Sequence, residues 1–156
     1  MKKFIVLGII TLIIAACGSS NNGEKKEASP SERMAAGSSP SYDPDRGEGK
    51  FSKVEVNATL DAVKAEAGSK IFTVKCSACH KLTEEKLVGP GWKGVTGRHT
   101  AEWIMNFATN PDVMIDKDPK AQAMLEICLV RMPNQNLTDE DARSLYEFMR
   151  KNDGVK

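Results

Sequence analysis

Two thiols three positions apart, with an imidazole directly after the second, constrain this chain more than any other feature: Cys76-Ser77-Ala78-Cys79-His80. On one tight helical turn both sulfurs can reach neighbouring rings of a single porphyrin, each adding across one vinyl group. His80 then lies under the iron and supplies the proximal nitrogen, so the residues read as the attachment signature of a c-type haem. Other uses of paired cysteines fit less well. A zinc site needs a second pair of ligands, and no other CxxC or HxxxH occurs. A thioredoxin-like dithiol needs a βαβ frame, which the pattern of apolar residues does not supply.

The front of the chain reads as an export and anchoring signal. Lys2 and Lys3 form a basic start, and Phe4–Ile14 is an apolar run too short to span a bilayer comfortably. The first unit, residues 1–16, is therefore expected to be a signal peptide. It ends at Ile14-Ala15-Ala16-Cys17, which resembles the lipobox of bacterial lipoproteins. That resemblance implies that Cys17 becomes the new N-terminus and carries the lipid, placing the protein outside the cytoplasm on a membrane facing the periplasm. With Cys17 assigned to lipid and Cys76 and Cys79 to haem, Cys128 is left without a partner for an intramolecular disulfide. The net charge of +1 gives no electrostatic footprint for nucleic acid.

From Gly18 to Val56 the residues are mainly Gly, Ser, Asn, Pro, Lys and Glu, with Met34, Tyr42 and Phe51 among the few large apolar ones. Such a stretch buries too little surface to offset its ordering entropy, so residues 17–56 are expected to form a lipidated, disordered tether, the alternative being a short ordered arm packed on the domain, since Phe51, Val54 and Val56 sit at its far end. A coil of that length would reach on the order of 35 Å, holding the domain near the membrane while it moves between partners.

Residues 57–156 are expected to form one all-α domain of about four to five short helices. A first helix runs from near Asn57–Asp61 into the cysteine motif, with Leu60, Val63, Ala67, Ile71 and Val74 at helical spacing and Gly68 within it. Leu87–Arg98, which holds Gly89, Pro90, Gly91, Gly94 and Gly97, cannot be a long helix. Thr100 can cap a helix through Trp103 and Phe107 that Asn110-Pro111 terminates. Asp118 and Pro119 open another, with Ala121, Met124, Leu125 and Cys128 facing inward and Met132-Pro133 ending it. Thr138 and Asp141 form a capping box for the last helix. A core this thin is short of apolar filling, and a covalently held porphyrin supplies it. The haem-free polypeptide is accordingly expected to fold poorly.

A sixth iron ligand has to come from His99, Met105, Met114, Met124, Met132 or Met149. Methionines within helices usually fill core gaps. Met132 differs, because it precedes a proline and lies in a polar loop, which can present a thioether to a metal more freely.

From Ala67 to Asn152 the sequence resembles the class I cytochromes c, monohaem electron carriers. The matching residues are the cysteine motif, then Gly89-Pro90, Trp92, Gly94, Gly97 and Arg98, then Met132-Pro133. Gly68 and Phe72, with Leu145 and Phe148, look like that family's crossing of first and last helices. The resemblance implies one covalent haem c, with His80 and Met132 as the iron ligands. It also implies that the Pro90 carbonyl holds the His80 imidazole and that Arg98 approaches a haem propionate. A carbonyl on Nδ1–H would fix the tautomer of His80 and make it a better donor to iron. The sequence departs from the family at Trp92, which stands where a smaller residue is usual, and in its shortage of aromatic propionate partners, for which Trp103 is the candidate, with a core role as its equal alternative.

Filled His/Met coordination favours one-electron transfer over substrate turnover, and a neutral thioether raises the reduction potential. The expected role is therefore a monomeric electron carrier rather than an enzyme. Its partners would be redox proteins: a reductase or oxidase complex, a cupredoxin-like donor or another cytochrome. Lys75, Lys81, Lys86 and Lys93 flank the motif and could attract an acidic partner. Two other classes remain open: a haem enzyme subunit (a peroxidase or small-molecule reductase), and a haem-based sensor. Both need a labile sixth position.

Overall fold

The computed structural model describes residues 42–156; the leader, Cys17 and the linker as far as residue 41 lie outside the described residues. Among the described residues there are six α-helices and no strand. They are α1 (Ala62–Ile71), α2 (Val95–Arg98), α3 (Ala101–Thr109), α4 (Pro111–Lys117), α5 (Pro119–Cys128) and α6 (Asp139–Asn152), and a π-helical turn, Phe72–Cys76, continues α1.

The caps lie where the side chains allow them. Asp61, Thr100, Asp118 and Thr138 each accept a hydrogen bond from the backbone three residues on, and Thr138 with Asp141 completes a capping box. Asn110-Pro111 ends α3 as expected, but Pro111 also begins α4, a helix the sequence reading does not contain. Proline lacks only an N–H that the first turn leaves unbonded anyway, so one residue serves as stop and start. The expected end of α5 at Met132-Pro133 is corrected to Cys128. Leu129 there adopts a left-handed conformation, φ 61°, and closes the helix by donating to the carbonyl of Leu125.

Helices α1 and α6 cross at Gly68. A Cβ on Gly68 would lie 2.1 Å from the Ser144 carbonyl oxygen, so only glycine lets the backbones come this close. That contact decides which face of α1 is buried. Ala65, Gly68, Phe72 and Cys76 point inward, whereas Val63 and Val74, placed on the periodic apolar face by their spacing, are 82% and 84% exposed. Turning the valines inward would hold the helices apart and expose Phe72, which packs on Phe148 at 5.5 Å and on Trp92 at 4.8 Å between ring centroids. In α6, Glu147 is fully buried, bonded by Arg150 at 2.8 Å and Arg143 at 2.8 Å, while Arg150 also donates to the carbonyls of Asn57 and Ala58. The buried charge is thus paired on every accessible side.

Residues 42–56 require a second correction. The sequence places them in the disordered tether, but they form an arm packed on α3–α5. The fully buried amide of Asn106 donates to the carbonyls of Arg46 and Phe51 and accepts from the Phe51 N–H at 2.9 Å. Val54 N–H donates to Glu102, and Tyr42 donates its hydroxyl to Asp118. Gly47, at φ 66°, brings the arm over Met114, where a Cβ would come within 2.6 Å of the methyl carbon. Polar side chains of the domain hold the arm's backbone, and Phe51 and Val54 add apolar packing against the core.

Candidate functional site

The π-helical turn delivers the cysteine motif. Ser77 N–H reaches back five residues to the Phe72 carbonyl at 2.9 Å, and Cys79 and His80 then donate to the carbonyl of Cys76 at 3.0 and 2.9 Å. This widened turn followed by a tight one sets Cys76, Cys79 and His80 along the wall of one cavity. Burial pushes the Cys76 thiol up to about 11. No three His, Cys, Asp or Glu side chains converge as metal ligands among the described residues.

Residues 87–93 are zipped onto 79–83 by backbone hydrogen bonds. Gly89 N–H donates to the Cys79 carbonyl at 2.8 Å, Trp92 to Lys81 at 2.9 Å and Lys93 to Thr83 at 3.2 Å. The loop's purpose is visible at His80, whose Nδ1 lies 2.9 Å from the Pro90 carbonyl oxygen. A carbonyl can only accept, so Nδ1 carries the proton and Nε2 keeps its lone pair for a metal. Burial holds the imidazole pKa below its usual value against the opposing effect of the Pro90 bond, favouring the neutral ligand form. Gly89 has no room for a side chain, because a Cβ would sit 2.4 Å from Cε1 of His80. Asp153 locks the far end of the loop, accepting from Gly94 N–H at 2.6 Å and from Thr96 N–H and Oγ1 at 2.9 and 2.7 Å. Its partner lies more than fifty residues away, beyond any local pattern.

The cavity has a volume of about 190 Å³ and is lined chiefly by apolar side chains, among them Trp92, Ile104, Leu125, Leu137 and Leu145. It is an order of magnitude larger than one water requires, yet offers few polar partners, so its chemistry suits a large apolar occupant. Of the proposed sixth ligands, Met132, His99, Met124 and Met149 reach its wall. Met105 and Met114 do not, and Met114 Sδ instead accepts from the Glu48 N–H. Met132 is half-buried in the loop after α5. Ala121, Met124, Leu125 and Cys128, expected on the inner face of α5, all line the cavity.

Arg98 also lies on the wall, with Nη1 donating to the Lys93 carbonyl at 2.7 Å and Nη2 to Gly91 at 3.3 Å. It therefore braces the glycine-rich loop while keeping further N–H groups free. Trp103 takes the core role of its two readings: it is buried, and its Nε1 donates to Asp118 Oδ2 at 3.0 Å. Asp118 thus caps α5, receives the indole and receives Tyr42 of the arm, a junction the sequence does not announce. Of the flanking lysines, Lys75 donates to the Gln135 carbonyl, Lys86 to Ile127, Lys93 to Asn152, and Lys81 pairs with Glu85.

These features fit a porphyrin on three independent grounds: two unpaired thiols at the wall, a neutral imidazole with its Nε2 free, and an apolar cavity too large for water. The comparisons agree. The cytochrome c family model matches residues 65–153. A cytochrome c from Rhodothermus marinus is 31% identical, covers 67% of this chain and 90% of its own, and superposes with a TM-score of 0.65. An engineered cytochrome c from the same organism is 30% identical over 71% of this chain and 98% of its own, with a TM-score of 0.67. The cytochrome c-type cyt cy of Rhodobacter capsulatus is 44% identical over 48 residues, 31% of this chain, which spans only 24% of that protein's length. With the motif, the cavity and these relatives in agreement, this chain belongs to the cytochrome c family and carries a covalently bound haem c with its iron.

Proposed function

We propose that this protein is a membrane-tethered electron carrier, its iron held between His80 and Met132, that passes single electrons between extracytoplasmic redox proteins. The observation that carries the reading is the Pro90 carbonyl on His80 Nδ1, which readies Nε2 as a ligand on the wall of a cavity that Met132 also lines. The bound haem supplies a one-electron couple. Around it the chain's residues keep the surroundings similar in both redox states: the imidazole is oriented beforehand, the apolar wall excludes water, and a thioether favours the ferrous state. The loop at Lys86–Val88 meets the end of α5, and Leu87, Val88, Ile127, Leu129 and Val130 are exposed there, with Val88 and Val130 on the cavity wall. This apolar rim, flanked by lysines, suits transient docking of an acidic redox partner such as a reductase or oxidase complex, a cupredoxin-like protein or a cytochrome.

The deciding measurement is the absorption spectrum of protein made in an export-competent host. A low-spin spectrum with the methionine–iron charge-transfer band supports the carrier. A high-spin ferrous form that binds carbon monoxide readily favours an enzyme or sensor with a labile sixth position. No helix among the described residues is long and apolar enough to cross a membrane. The lipobox-like Ile14-Ala15-Ala16-Cys17 supports anchoring through lipid on Cys17, with residues 1–16 as its leader. Cys17→Ala is expected to move the protein from the membrane pellet to the soluble fraction; retention in the pellet would dismiss the lipid anchor.

A further inference from the structure

Residues 42–56 precede the stretch that the cytochrome c family model matches, and none of them lines the haem cavity. The arm they form is nevertheless bonded to the elements that build the cavity wall. On α3 it is held by Asn106, fully buried, whose amide gives both N–H groups and its oxygen to Arg46 and Phe51. On α4 it is held by Met114, also fully buried, which accepts from the Glu48 N–H at 3.1 Å. At the start of α5, Asp118 takes the Tyr42 hydroxyl and Lys120 donates to the Pro44 carbonyl at 2.7 Å. Asp118 also holds Trp103, a cavity-wall residue on which His99 is stacked with ring centroids 4.0 Å apart. Lifting the arm would strip the partners from Asn106 and open the cover over Met114, so the arm and the corner between α3 and α5 form one packed unit.

The loop that carries Met132 is tied to that same corner. Arg131 donates to Asp116 of α4 at 2.8 Å, and Asn134 donates to the carbonyl of Thr109, the last residue of α3, at 3.4 Å. Thr109 lies one turn beyond Asn106, and Asp116 shares the short α4 with Met114. Residues 130–137 make no backbone–backbone bond outside helices, so the loop's position depends on the corner that holds it. We propose that the arm braces the distal iron ligand: by clamping the corner between α3 and α5, it steadies the loop and slows the departure of Met132 from the iron. The arm's residues act as positioning residues through α4, Arg131 and Asn134, without touching the haem themselves.

The inference rests on Met132 being the sixth ligand. The test uses the full-length ferric holoprotein with imidazole as the displacing ligand. Gly49→Ala puts a Cβ 2.6 Å from Cγ of Asn106, which dislodges the arm at its central anchor and leaves the cavity wall intact. It is expected to speed displacement of Met132, followed as loss of the methionine–iron charge-transfer band, about three- to tenfold. Amide exchange in residues 131–136 should accelerate with it. Ala65→Gly lowers stability through α1 and is expected to leave both rates unchanged. In a background carrying Arg131→Ala and Asn134→Ala, where the loop is already untied, Gly49→Ala should add no further acceleration. With the band present in wild type, unchanged displacement in Gly49→Ala, equal acceleration in Ala65→Gly, or an undiminished effect in the untied background would each overturn the brace alone. A wild-type protein without the band would overturn the Met132 ligation, and this inference with it.

Discussion

The two sides of the haem cavity are built by different means. On the His80 side the backbone does the holding: residues 87–93 bond to 79–83, and the Pro90 carbonyl fixes the ring. On the Met132 side, residues 130–137 make no backbone–backbone hydrogen bond outside helices. That loop is tied by side chains instead. Lys75 reaches the Gln135 carbonyl, Arg131 reaches Asp116, and Asn134 caps Asn136. A backbone ladder opens as a unit, whereas separate side-chain ties release one at a time. His80 is thus part of the fold, and the loop that carries Met132 is attached to it.

The largest effect should come from removing the proximal ligand. His80→Ala is expected to abolish accumulation of low-spin holoprotein, while Met132→Ala should retain covalent pigment but give a high-spin, ligand-binding spectrum. Equal loss of pigment in both variants would erase the asymmetry. Next, Gly89→Ala drives a Cβ into the His80 ring and should cost about 1–3 kcal/mol in denaturant unfolding, with a changed Soret spectrum. Hydrogen exchange gives a finer comparison: the amides of Gly89 and Trp92 should be protected well beyond those of residues 131–136. Comparable protection on both sides would remove the proposed difference. The smallest change belongs to Arg131→Ala, which breaks exposed ion pairs only. Its unfolding midpoint should stay close to wild type while exchange in the loop accelerates.

Much of the fold was legible because helix signals are local. The caps at Thr100, Asp118 and Thr138 and the proline at 119 lie where their short-range chemistry requires. The buried face of α1 was legible only through the family resemblance at Gly68 and Phe72. By spacing alone Val63 and Val74 carry a stronger hydrophobic signal than Ala65 and Gly68, and the close approach of the Ser144 backbone overrides it. The arm at 42–56 was hidden for a related reason. Phe51 and Val54 mark its far end as apolar, but the side chains of Asn106 and Glu102 that hold its backbone lie about fifty residues away, beyond any local pattern. At the site, the cysteines and His80 were plain from spacing. Asp118, Asp153 and the His99 stack were not, since each depends on partners that meet only after folding.

What the sequence determined by itself is the chemistry that needs a short stretch of chain: paired sulfurs with an adjacent imidazole, a glycine-proline turn, and the helix caps. Spacing along the backbone suffices there, because covalent geometry places the groups. The tertiary structure alone decided which nitrogen of His80 is free, which methionines reach the cavity, and that Trp103 serves Asp118. Those outcomes depend on which distant polar groups find each other when water is expelled, and no local period in the sequence encodes that pairing.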